Sequence, residues 1–181
     1  QDLHRVQFRD PTGKRIAAVG SGVLSVHLLR PYTEWEDFRA QIQRALTAFV
    51  EVTKPDGIAR IGVRYINKIE VAAPSIELDD YFTSAPDPPE PLPQQIRSFV
   101  TRVETSYEEE PIRLVTTFAT SNDVSPGSTG FLLDIDVVYD GSDDPLALEA
   151  AMPVIEDLRS RERVAFEALI TDRTREIFDA E

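Results

Sequence analysis

Residues 58–71 read IARIGVRYINKIEV, and the alternation in this stretch decides how the rest of the chain is read. Ala59, Ile61, Val63, Tyr65, Ile69 and Val71 fall on one side of a two-residue repeat with Asn67 among them. Arg60, Arg64, Lys68 and Glu70 fall on the other. Period two over such a length predicts a long β-strand with one buried and one charged side, the pattern of an antiparallel sheet. The strand is expected to cross the middle of that sheet, apolar towards the helices and ionic on the reverse.

On its N-terminal side, residues 4–9 and 14–19 read as two strands joined by Asp10-Pro11-Thr12-Gly13, whose proline and glycine suit a tight turn. Ser21-Gly22 turns the chain again, and residues 23–30, VLSVHLLR, make a third strand. Pro31-Tyr32 closes the meander. Thr33 and Glu36 then have capping-box spacing, and Trp35, Phe38, Ile42, Leu46 and Phe49 recur at helical intervals, predicting an amphipathic helix over 34–52 with Trp35 in the core. Lys54-Pro55-Asp56-Gly57 ends it and delivers the long strand.

On its C-terminal side, IELDDYF suggests one helical turn near Ser75, and 85–93, APDPPEPLP, is an extended connector that cannot join a sheet ladder. A proline-recognition module would accept it, although a stiff crossover between two halves of one fold explains it as well. Residues 99–108, 112–121 and 131–140 form a second meander. Asp144 before Pro145 suits a helix start. A long final helix follows, marked by Met152, Ile155, Leu158, Phe166, Leu169, Ile170, Ile177 and Phe178, with a kink or restart at Pro153.

The element order is βββαβ, connector, βββα. It predicts one α+β domain over 1–181, a twisted antiparallel sheet of about seven strands with both main helices packed on one face.

Composition narrows the functional classes. The chain of 181 residues contains no cysteine, which removes disulfides, thiolate metal sites and thiol nucleophiles, and fits a reducing cytoplasm. No apolar run approaches the roughly 20 residues of a membrane helix. A net charge of −13 marks an acidic protein and argues against nucleic acid or an acidic membrane as partner. The charge is uneven: residues 1–71 hold 11 basic and 8 acidic residues, residues 72–181 hold 8 and 24. Such an asymmetry lets copies attract one another, and solubility alone accounts for it equally.

Chemistry is sparse. Asp134 and Asp136 in LLDIDVV stand two apart on a strand and so share a face, close enough for a common divalent cation. With Gly127-Ser128 upstream the arrangement is similar to that of the nucleotidyltransferases, but five residues separate Ser128 from Asp134 where that family places a helix. Arg60, Arg64 and Lys68 on one sheet surface with Arg102, Glu104, Arg113, Asp134 and Asp136 would resemble the lining of a polyphosphate tunnel, or equally a salt-bridged face or dimer contact. Asn67, alone among apolar neighbours, is expected to hydrogen-bond a loop or helix end. His4 and His27 are isolated, and no catalytic set, metal site or cofactor can be assembled.

Three patches, LSVHLLRPYTEWEDF, RIGVRYINKIEV, and FLLDIDV with AFEALITDRTREIF, resemble an uncharacterised, sporadically distributed family of bacterial proteins over nearly the whole chain. The resemblance implies a bacterial, cytoplasmic protein lacking the family's usual N-terminal strand and helix. It assigns no catalytic role. The expected function is a non-enzymatic binding or protein-interaction module, partnered by a second copy or another protein. The alternative is a metal-dependent phosphate- or nucleotide-handling enzyme, with Asp134 and Asp136 as ligands and Arg60 and Arg64 as anion contacts.

Overall fold

The computed structural model describes residues 5–30 and 34–179. The fold is α+β, with seven strands in two antiparallel sheets and three α-helices among the described residues. By internal packing it divides into two compact units, residues 1–57 and 58–181.

In the first unit β1 (Val6–Arg9), β2 (Arg15–Gly20) and β3 (Val23–Leu28) form a meander in the order β1-β2-β3. The β1–β2 turn is built by Asp10, whose carboxylate accepts the backbone N–H of Lys14 and Arg15 at 3.0 and 3.1 Å, while Gly13 takes φ +71. Helix α1 (Trp35–Thr53) packs on β3 and ends at Lys54, which adopts the left-handed conformation at φ 47 and donates its N–H to Val50. Its stripe of Trp35, Phe38, Ile42, Leu46 and Phe49 is half-buried, and no residue of α1 is fully buried, so Trp35 is not the core residue expected. His4, Pro31-Tyr32 and the Thr33 half of the expected capping box lie outside the described residues.

In the second unit β4 (Arg60–Val71), β5 (Val100–Ser106), β6 (Ile112–Ser121) and β7 (Thr129–Asp140) form a sheet in the order β4-β7-β6-β5. Helix α2 (Ala151–Leu169) covers one face against β4 and β7. Ile69, Phe118, Phe131, Leu133, Ile135 and Val137 meet Leu158 and Ala165 there. Each large side chain so buried contributes about 1.5–3 kcal/mol. Phe82, after a 3₁₀ turn at Leu78–Asp80, packs its ring tilted 4.5 Å from that of Phe118 and edge-on 5.0 Å from that of Phe131. Helix α3 (Asp172–Asp179) is tied to that turn by two threonines: Thr171 donates to Asp80 O and the buried Thr174 to Tyr81 O, both at 2.6 Å.

The structure departs from five of these expectations. The seven strands do not form one sheet, because β4 pairs with β7 and the first meander pairs only within itself. Face periodicity says nothing about which edges of distant strands meet. Accordingly, the two main helices do not share a face: α1 lies on β3, α2 on β4 and β7. The long strand β4 is an edge strand and β7 and β6 hold the interior, which suits the charges on β4. The final helix is two, parted at Ile170 and Thr171, and it begins as a 3₁₀ turn at Leu148–Ala150 and not at Pro145. Pro153 causes no break, since it occupies the first turn of α2, where its missing N–H has no helical acceptor. No described helix is long and apolar enough to cross a membrane.

Candidate functional site

The strand register assembles the charged residues. Arg60, Arg64 and Lys68 on β4 stand opposite Asp140, Asp136 and Leu132 on β7. Asp136 and Asp134 stand in turn opposite Val115 and Thr117 on β6, which face Glu104 and Arg102 on β5. Directly opposed side chains in an antiparallel ladder project from one face. The eight charged residues grouped from the sequence therefore share the face turned away from α2. That face is not wholly ionic, however: Val115, Ala119 and Val138 are buried on it.

Within the face, Asp134 and Glu104 are paired with arginines. Arg64 takes both carboxylate oxygens of Asp134, with Nε 2.8 Å from Oδ1. Glu104 accepts from Arg113 at 3.0 Å and lies 3.7 Å from Arg102. Asp136 is half-buried, and burial pushes its carboxyl up while Arg64 and Arg60 pull it down. A divalent cation at Asp134 and Asp136 would meet the fields of Arg60, Arg64 and Arg113 and would have to displace Arg64, so this donor set fits a cation poorly. Among the described residues no group of three or more His, Cys, Asp or Glu is arranged to hold a metal.

The β6–β7 loop closes over one end of this face. Lys68 pairs with Asp123, and Glu70 accepts the backbone N–H of Ser125 at 3.0 Å; hydrogen bonding from the Ser125 hydroxyl and then from its N–H holds the Glu70 carboxylate below its ordinary range. Gly130 is required beneath the loop, since a Cβ there would overlap the Val124 side chain and lie 2.7 Å from Ser121 O. Asn67 donates to Leu133 O on the neighbouring strand at 3.2 Å, so its partner is a strand carbonyl and not a loop or helix end.

A second feature is the outer edge of β5. Tyr107 N–H donates to Ile112 O and Thr120 N–H to Phe99 O, so the odd-numbered positions of this strand bond to β6. Val100, Arg102, Glu104 and Ser106 therefore direct their N–H and C=O groups away from the sheet. Every position of β5 is exposed except half-buried Thr101; Val100 is 75% and Val103 49% exposed.

No protein-family profile, curated protein or solved structure matches this chain. The β5 edge was missed residue by residue in the sequence, yet a signal was present. In VTRVETS the two valines are three apart and fall on opposite faces, so neither face is apolar enough for a covered strand.

Proposed function

We propose that this chain is a non-enzymatic protein-interaction module that works through an open edge of its four-stranded sheet, as a homodimer or with another protein. The observation that carries this reading is β5, whose outward backbone groups are unpaired within the sheet and whose valines are exposed. Such an edge is a template for strand addition. The internally paired charges of the reverse face support it, because Asp134 and Glu104 already serve as acceptors for arginine. A bacterial, cytoplasmic setting follows from the sequence resemblance. Light scattering across a concentration series, with affinity capture from the host, tests the reading; a strict monomer with no partner recovered would overturn it.

A second reading, a metal-dependent phosphate- or nucleotide-handling enzyme, draws on Arg60, Arg64 and Arg113 around Asp136 as anion contacts. A specific ligand must raise the melting temperature. A thermal shift with Mg²⁺ or Mn²⁺ and a nucleotide that disappears in Asp134→Ala would favour this enzyme over the module.

A further inference from the structure

We infer that the outer edge of β5 takes a second copy of this chain, antiparallel, with Val103 directly opposite the partner's Val103. This rests on the interaction reading above and names the occupant of that edge.

Register and charge both point to this pairing. The outward row of β5 is Val100, Arg102, Glu104, Ser106, with one cation and one carboxylate. Turned about a two-fold axis at Val103, it places Arg102 against the partner's Glu104 and Glu104 against the partner's Arg102. Val100 then meets the partner's Ser106, and on the other face Thr101 meets the partner's Thr105. Opposite charges are matched twice and no like charges face each other, the condition for favourable cross-strand pairs. The outward positions are also the ones that must exchange backbone hydrogen bonds in this register, so ladder and side chains agree. A C₂ contact uses the same patch on both copies, and a self-complementary row meets that demand.

The other edge of the sheet is a poorer template. The outward row of β4 carries Arg60, Arg64 and Lys68 against the single carboxylate of Glu70, so doubling it accumulates positive charge. Apolar exposure also favours β5, where Val100 and Val103 are 75% and 49% exposed against 44% for Ile66 on β4.

The absence of cysteine makes the test clean. At the two-fold axis Val103 and its mate form a non-hydrogen-bonded pair with Cα atoms about 4.5 Å apart, within disulfide reach. Val100 lies six residues from its own mate along the paired strands, about 20 Å away. Under mild oxidation Val103→Cys should therefore run as a disulfide-linked dimer, while the more exposed Val100→Cys should not. By light scattering the unmodified chain should reach twice 20.3 kDa at high concentration. Val103→Lys, which sets two ammonium groups against each other on an exposed strand, should keep its circular dichroism spectrum and lose the dimer. Equal cross-linking of both cysteine variants, or a dimer that survives Val103→Lys, overturns the β5 register while leaving the interaction reading standing. A monomer at every concentration that still captures a partner overturns self-pairing alone, and a monomer with no partner overturns both.

Discussion

Arg64 reaches past the residue directly across from it, Asp136, and grips Asp134 two places along β7, with Nε 2.8 Å from Oδ1 and Nη2 on Oδ2. The Asp134 side chain is 13% exposed and that of Arg64 55%. The buried member therefore depends on the exposed one. Arg64→Ala should destabilise the fold by about 1–2 kcal/mol, because it leaves a nearly buried carboxylate without its donor, with solvent around Arg64 moderating the loss. Asp134→Asn should lose less, and the double variant should show coupling of about 1 kcal/mol in a urea denaturation cycle.

Glu162 on α2 is 4% exposed, and burial pushes its carboxyl from the ordinary 4.5 up to about 7. Below about 4.5 both the folded and unfolded chains hold the proton. Between 4.5 and about 7 the unfolded chain releases it while the folded chain keeps it, so stability falls as pH rises through this window. The loss is complete above about 7 and amounts to about 3 kcal/mol. Glu162→Gln should be the more stable protein at pH 8 and should flatten the dependence of melting temperature between pH 5 and 8. Asp136, also raised by burial, acts in the same sense, so comparing the two proteins isolates Glu162.

Thr174 is fully buried and gives its hydroxyl to Tyr81 O at 2.6 Å, fastening α3 to the segment that carries Phe82. Valine has the same shape without the donor. Thr174→Val should destabilise by about 1–2 kcal/mol, measured as a lower urea midpoint with an unchanged slope.

Gly130 lies under the β6–β7 loop, with Val124 and Ser121 O where a Cβ would sit. Gly130→Ala should displace the loop and cost about 1–3 kcal/mol. Hydrogen exchange should then speed up at Ser125, whose N–H bonds Glu70 in the native fold. Unchanged exchange there would show that the loop accommodates the methyl group in place.

The alternation of Ile61, Val63, Tyr65, Ile69 and Val71 against Arg60, Arg64 and Lys68 was sufficient, by itself, to mark the strand found over Arg60–Val71 and to sort its faces. Side chains leave a strand on alternate sides whatever the strand pairs with. The same rule put Asp134 and Asp136 on one face, and helical spacing marked α1. Which strands became neighbours was decided by tertiary structure: β4 at an edge, β7 inside, the first three strands in a sheet of their own. Hydrogen-bonding edges carry no side-chain period and are chosen by long-range packing. For that reason the diagonal grip of Arg64 on Asp134 and the clip of Thr174 on Tyr81 became visible only when the chain was folded.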